Sequence, residues 1–96
     1  MEKSYNITIQ TPLGNENGKI IFIINNGTLN GTLEIMGSKN NFSNGEIKDN
    51  TFEFSGEIRK LITKIPYKVN GTFKDNSLTA FADTKYGLLS IKGKEI

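Results

Sequence analysis

Turn-forming residues recur about every ten residues along this chain, and this spacing constrains the fold more than any other feature. The segments between them are short and rich in isoleucine, threonine and aromatic residues, which fit the pleated surface of a sheet. Short strands at this interval predict an all-β barrel or sandwich. The turn signals are Pro12-Leu13-Gly14 through Gly18, Asn26-Gly27, Gly37-Ser38, Asp49-Asn50, Lys60-Leu61, Asp75-Asn76 and Thr84 to Gly87. The predicted strands cover residues 3–10, 19–25, 28–36, 39–48, 51–59, 62–73, 77–83 and 88–95.

The length of 96 residues fits one small domain, and we expect residues 1–96 to form it. The chain contains no cysteine and no histidine. These absences exclude a thiol nucleophile, an imidazole base, a disulfide framework and the usual type of zinc site. We expect neither a metal nor a cofactor.

Charge and hydropathy limit the partners further. The formal net charge is only +2, and the lysines are spaced almost evenly along the chain, which predicts no nucleic-acid partner. The longest apolar run, Ile20–Ile24, is far too short to span a membrane, so we expect no membrane partner. We expect a soluble, cytoplasmic chain without a targeting signal, and the bias toward lysine, asparagine and isoleucine is typical of a bacterial source.

Two-residue turns fix which residues face each other across a hairpin, so four of them predict the register. All four place apolar residues on one shared face. The turn at Lys60-Leu61 also predicts Glu57 opposite Lys64 and Glu53 opposite Lys68, a favourable match of charges. The predicted apolar pairs are Ile24 with Leu29, Phe22 with Gly31, Ile20 with Leu33, Ile47 with Phe52, Gly45 with Phe54, Phe54 with Tyr67, Phe52 with Val69, Phe73 with Leu78, Gly71 with Ala80, and Val69 with Ala82.

Glycines on the predicted inner face favour a sheet that curls strongly, because they permit close approach of neighbouring strands. They are Gly31, Gly45, Gly56, Gly71 and Gly93. We therefore predict a small eight-stranded antiparallel up-and-down β-barrel, a meander closed between its first and last strands. A β-sandwich is the alternative. Leu33 opposite Phe42 and Leu29 opposite Ile47 cannot both hold, which predicts a bulge near Asn44.

The predicted interior carries only two polar side chains, Tyr5 and Tyr67. Barrels of this size are either filled by their side chains or hold one small ligand. For the second case, the candidate ligand-binding residues are Tyr5, Phe22, Phe54 and Tyr67, with a tyrosine as polar anchor for a small apolar molecule.

Strand two departs from alternation, since Ile21 and Ile23 point outward if Ile20, Phe22 and Ile24 point inward. Phe81 and Leu88 are also outward in the predicted register. We take Ile21, Ile23 and Phe81 as candidate interface residues, and expect a homodimer through the outer wall.

No carboxylate pair predicts catalysis. Glu53 and Glu57 are expected to lie on the solvated face opposite lysines, and the Asp-Asn pairs are expected to form turns rather than calcium sites. The segment 14–18 contains two glycines but leads into a strand, so we expect a flexible loop over a barrel mouth rather than a phosphate site.

Three segments carry a resemblance. Thr11-Pro12-Leu13-Gly14, Gly27-Thr28-Leu29-Asn30-Gly31-Thr32 and Gly71-Thr72-Phe73-Lys74-Asp75-Asn76, in this meander, resemble small bacterial calycin-like barrels of the lipocalin or avidin type. The resemblance implies that fold and, since some such domains are appended to flavin or NADH oxidoreductases, an accessory role. It implies no binding residues: avidin-like sites use tryptophan, which the chain lacks, and fatty-acid binders use an inward arginine, whereas Arg59 is predicted outward.

These observations favour a non-enzymatic binding domain. It would bind a small apolar ligand at the barrel mouth or a protein partner through the outer wall. The alternative is an enzyme, or a domain associated with an oxidoreductase, that uses Tyr5 or Tyr67 with a carboxylate or depends on a bound cofactor.

Overall fold

The computed structural model describes residues 1–35, 37–60 and 63–96, and within these ranges the chain forms strands joined by tight turns. The strands are β1 (Glu2–Thr11), β2 (Gly14–Asn25), β3 (Thr28–Ile35), β4 (Ser38–Lys48), β5 (Thr51–Lys60), β6 (Thr63–Lys74), β7 (Ser77–Thr84) and β8 (Gly87–Glu95). All eight strands were predicted, although the predicted ends at Met36 and Ile62 lie outside the described residues. The expected loop over 14–18 is wrong: these residues begin β2 and pair with Ile7–Thr11, because Pro12-Leu13 suffices to reverse the chain.

The strands form one closed antiparallel barrel in which each strand pairs with the next and β1 pairs with β8. This confirms the predicted meander barrel, and the sandwich alternative is wrong. The β1–β2 and β7–β8 turns lie at one end of the barrel, which we call end A. The β2–β3, β4–β5 and β6–β7 turns lie at the opposite end, end B, together with both chain termini. The architecture fits a calycin-like fold.

Turn chemistry explains most of the register. Asn26 and Gly27 have φ of 52° and 81°, the signature of the predicted type I′ turn. Asp49 and Asp75 also have positive φ, which aspartate tolerates better than most residues. The predicted pairs across β2–β3 and β6–β7 are confirmed, as is Ile47 opposite Phe52.

The β5–β6 hairpin differs from the prediction by two residues. Lys60 pairs with Thr63, so Phe54 faces Val69 rather than Tyr67, and Phe52 faces Gly71 rather than Val69. The predicted turn at Lys60-Leu61 extends outside the described residues. A shift of two keeps every side chain on its predicted face, because side chains alternate with a period of two.

The predicted charge pairs across this hairpin are therefore wrong. Glu57 lies opposite Pro66, and Glu53 lies opposite Asn70. Arg59 faces Lys64, which carries the same charge. Hydrophobic alternation specifies the face of a strand but not the position of its turn.

The bulge predicted near Asn44 is present. Leu29 pairs with Gly45 but Gly31 pairs with Phe42, so β4 holds one extra residue between these pairs. Asn44 has a φ of 62°, and its backbone N–H donates to Oδ1 of Asn30 at 3.1 Å. On the turn side of the bulge, Ile35 faces Ser38 and Leu33 therefore faces Asn40, so the predicted Leu33–Phe42 pairing is wrong. Leu29 opposite Ile47 is wrong too, because Leu29 faces Gly45.

Aromatic rings cover several of the inner-face glycines. Gly56 faces Tyr67, and a Cβ on Gly56 would lie 2.6 Å from the Tyr67 hydroxyl oxygen. Gly71 faces Phe52, whose ring would collide with a Cβ at that position. Each glycine thus provides the space into which a neighbouring ring folds, and this arrangement lets a barrel of only 96 residues accommodate large side chains.

Candidate functional site

The four predicted ligand-binding residues lie together inside the barrel. Ring centroids are separated by 6.0 Å between Tyr5 and Phe22, 5.9 Å between Phe22 and Phe54, and 6.0 Å between Phe54 and Tyr67. Phe22 lies at the centre and also contacts the rings of Phe42, Phe52 and Phe73. The four residues therefore belong to a packed aromatic cluster, in which edge-to-face and stacked contacts contribute about 0.5–1.5 kcal/mol each beyond burial.

The two tyrosine hydroxyls in this cluster have no hydrogen-bond partner among the described residues, although both side chains are buried. Burial raises the pKa of Tyr67 to about 12, since the charged phenolate would be poorly solvated. The pKa of Tyr5 is also raised, by burial and then by the charge of Glu95, its cross-strand neighbour on β8. Both hydroxyls are protonated at neutral pH and can donate a hydrogen bond, whereas neither is prepared to act as a base.

Asn40 is a buried polar residue that the sequence reasoning missed. Its Nδ2 donates to Oγ of Ser38 at 3.1 Å, and its Oδ1 accepts from the backbone N–H of Arg59 at 3.1 Å. The second bond joins β4 to β5, whose backbone ladder covers only three residue pairs, against ten between β5 and β6. The sequence contained a signal for the burial of Asn40, because Asn40 is two residues before inward-facing Phe42 on the same strand and therefore lies on the same face.

Two shallow grooves lie on the outer surface of the described residues, and the four aromatic candidates line neither. One, of about 370 Å³, lies beside the β3–β4 connection and is lined by Asn17, Glu34, Ile35, Gly37, Ser38 and Lys39. The other, of about 200 Å³, is lined by Glu46, Lys48, Thr51, Phe52, Glu53 and Asn70. In the second groove Glu46 and Glu53 face each other directly across β4 and β5.

The carboxylates considered at the sequence level are not assembled for chemistry. Glu57 lies 3.9 Å from Arg59 in an exposed ion pair. Glu53 lies opposite Glu46 on β4 and Asn70 on β6. Within the described ranges no group of three or more acidic side chains is placed to hold a metal ion.

The three predicted interface residues do not form one surface. Ile21 and Ile23 lie on the outer wall of β2, and Ile23 is about half exposed beside Glu2. Phe81 lies on β7, separated from β2 by β8 and β1. Its neighbour Ser90 is level with the far end of β1, away from Glu2.

Phe81 instead belongs to a second apolar surface at end A. Leu88 faces Asp83 and Phe81 faces Ser90, so Phe81 and Leu88 are diagonal neighbours on the outer wall of β7 and β8. The β1–β8 register brings the β1–β2 turn level with the start of β8. We define the end-A patch as Leu13 (99% exposed), Phe81 (52%), Tyr86 (56%) and Leu88 (71%).

Two turns of identical construction support this patch. In Thr11-Pro12-Leu13-Gly14, the threonine hydroxyl donates to the Gly14 carbonyl at 2.6 Å and accepts the Leu13 backbone N–H at 3.2 Å. In Thr84-Lys85-Tyr86-Gly87, the same two bonds measure 3.1 Å and 3.0 Å. Both final glycines have positive φ. Leu13 and Tyr86 therefore occupy equivalent positions in adjacent, internally hydrogen-bonded turns.

The described residues contain no helix long and apolar enough to cross a membrane. Comparison of the sequence with known protein families gives no match. Comparison with curated proteins gives no match either.

Proposed function

We propose that this chain is a non-enzymatic binding module that contacts a protein partner through the end-A patch. The observation that carries the proposal is the exposure of four large apolar side chains on two adjacent hairpins. Water disfavours such exposure, and contiguous apolar surfaces on soluble domains commonly mark contact sites. Interface centres are enriched in aromatic residues, and the patch contains Phe81 and Tyr86.

The turns strengthen this proposal because they fix the backbone at two of the four patch positions. Leu13 and Tyr86 each lie in a turn closed by a threonine hydroxyl. A backbone that is already ordered loses little further conformational freedom on binding, which favours association.

Site-specific photo-crosslinking tests the proposal in the native host. Leu88 is replaced by the photoreactive amino acid p-benzoylphenylalanine, and in a matched control Asn50, exposed in the β4–β5 turn at end B, is replaced instead. We expect a discrete crosslinked product from position 88 and none from position 50. Equal labelling at both positions, or no product from either, would contradict the proposal.

A second candidate function is the binding of a small, mostly apolar molecule at the end-A mouth, with Tyr67 as its polar anchor. The supporting observation is that the buried Tyr67 hydroxyl has no partner in the part of the chain that the structure describes, since a buried polar group left unsatisfied costs about 1–3 kcal/mol. Tyr67 is level with Thr84, beside the β7–β8 turn. A ligand that accepts this hydrogen bond would remove the cost.

Non-denaturing mass spectrometry of protein purified from its host tests the second candidate. We expect an added mass on the native protein that is absent from Tyr67→Phe, because the variant keeps the ring and loses only the donor. A native protein with the mass of the bare chain overturns this candidate and leaves the end-A patch untouched.

The calycin-like resemblance suggests a biological setting for either activity. We propose that the barrel acts as a bacterial, cytoplasmic accessory domain, and that an oxidoreductase is one partner class for it. The enzymatic alternative would use a tyrosine with a carboxylate, or a bound cofactor. Among the described residues Tyr5 has Glu95 as its cross-strand neighbour, and the raised pKa of Tyr5 opposes a role as base.

A further inference from the structure

We propose that the partner of the end-A patch is a second copy of this chain, bound through the same patch about a twofold axis. This inference rests on the proposed function and names its partner. Twofold pairing requires a self-complementary surface, because each residue must meet the corresponding region of its own copy. Three observations support this pairing: the surface that the barrel leaves available, the area of the end-A patch and the charges beside it.

The first observation is the way in which the barrel leaves surface available. Each described strand pairs with two neighbours, so strand edges are covered except beside the short β4–β5 ladder of three residue pairs. Away from that ladder, association must use side chains on the outer wall or at an end. Among the described residues, the end-A patch combines wall positions, Phe81 and Leu88, with turn positions, Leu13 and Tyr86, on two adjacent hairpins at one end of the barrel.

The second observation is area. The four side chains together present roughly 500 Å² of apolar surface, since an aromatic side chain alone covers about 150–250 Å². A specific interface buries about 800 Å² on each partner, of which about 60% is apolar. The patch thus matches the apolar share of one side, and the polar residues around it can form the rim.

The third observation is charge. Asp83 lies opposite Leu88, Lys85 lies beside Tyr86, and Lys68 faces Asp83 from β6. All three are exposed. A twofold pair can set Asp83 of one copy against Lys85 of the other, whereas a strongly charged partner would meet a like charge at one of the two.

Sedimentation equilibrium on the purified chain tests the inference. We expect the average mass to rise from 10.7 kDa toward twice that value as the concentration increases from about 1 μM to about 1 mM. Leu88→Asn and Phe81→Thr should each raise the dimer dissociation constant at least about tenfold, as central interface residues do. Both side chains are exposed, and unchanged thermal unfolding of each variant at low concentration confirms that it is folded.

Ile23→Thr tests the competing apolar wall on β2 and should leave the dissociation constant unchanged. A chain that stays at 10.7 kDa throughout overturns the second copy as partner. The proposed function then survives if photo-crosslinking at position 88 gives a product with a different partner, and fails if it gives none. A dimer dissociated by Ile23→Thr but not by Leu88→Asn also overturns the inference.

Discussion

The aromatic cluster inside the barrel and the end-A patch outside it use similar residues under opposite conditions. Phe22 is enclosed by five other rings, whereas Phe81 and Tyr86 are each more than half exposed. Inside, the size of each side chain is dictated by its neighbours, as at Gly71 beneath Phe52. Outside, the turns require Thr11, Gly14, Thr84 and Gly87 but place no demand on the apolar character of Leu13 or Tyr86.

This difference separates residues that maintain the fold from residues that are available for function. An apolar residue that neither packing nor turn geometry needs, and that water disfavours, is a candidate for binding. The turns at end B provide the contrast, since Asp49-Asn50 and Asp75-Asn76 consist of residues that suit positive φ and solvent. Inside the barrel, the Tyr5 and Tyr67 hydroxyls are the exceptions, because the described structure gives neither of them a hydrogen-bond partner.

The largest expected effect comes from filling the interior. Gly71→Val adds branched bulk where a Cβ already meets the Phe52 ring and lies 2.6 Å from Cβ of Ala80. We expect a loss of about 3 kcal/mol or more in the free energy of unfolding, measured by denaturant titration, since overpacking costs about 1–3 kcal/mol and the backbone here must also move. A loss below about 0.5 kcal/mol would show that the interior adapts easily, within the range of ordinary surface changes.

Removing the Tyr67 hydroxyl should have the opposite sign. Tyr67→Phe keeps the ring contact with Phe54 and deletes a buried donor that has no partner within residues 1–35, 37–60 and 63–96, so we expect a gain of about 1 kcal/mol at pH 7. Tyr86→Phe, on an exposed tyrosine, is the matched control and should change little. A loss of stability in Tyr67→Phe would mean that the hydroxyl has a partner in solution.

Alkaline pH should enlarge the gap between Tyr67→Phe and the native protein. The folded-state pKa of Tyr67 is raised to about 12 from an ordinary value of 10.0, so above pH 10 the unfolded state loses this proton first. The part of the free energy of unfolding that depends on the Tyr67 proton is complete below pH 10 and is lost as pH rises through 12. At about 1.4 kcal/mol per pKa unit, the loss reaches roughly 2–3 kcal/mol, and the variant lacks it. Parallel pH profiles of unfolding would contradict the assignment.

Facing carboxylates give a smaller expected effect. Glu46 and Glu53 lie directly opposite each other on β4 and β5, where like charges destabilise a sheet. Glu53→Lys replaces this repulsion with an attraction, and we expect a gain of about 0.5 kcal/mol that diminishes with added salt. Glu57→Lys, which places a third positive charge near Arg59 and Lys64, should give no gain.

Sequence patterns predicted the barrel because alternation and turn chemistry act locally. Asn26-Gly27 and Asp75-Asn76 fixed their registers. The Lys60-Leu61 turn failed by two residues, because a shift of two leaves the apolar face unchanged and no strong turn residue opposes it. The end-A patch could not be assembled in advance, since it depends on how the β1–β2 turn aligns with β8 across the closure of the barrel. The burial of Asn40 could be inferred from the alternation of β4, whereas its hydrogen bond to Arg59 on another strand could not.

The smallest expected effect is at Leu13, and it tests directly whether the end-A patch serves binding and not the fold. Leu13→Ser replaces a side chain that is 99% exposed, in a turn whose hydrogen bonds come from Thr11. At a concentration where the chain is monomeric, we expect a change within about 0.5 kcal/mol, as for ordinary surface positions. At high concentration the native protein should gain stability from self-association while Leu13→Ser gains less, because binding to the folded state adds to its stability by mass action. Thermal unfolding of both proteins across a concentration series measures this difference. Midpoints that rise equally with concentration would remove Leu13 from the contact surface, and a large loss in the monomer would show that Leu13 maintains the fold.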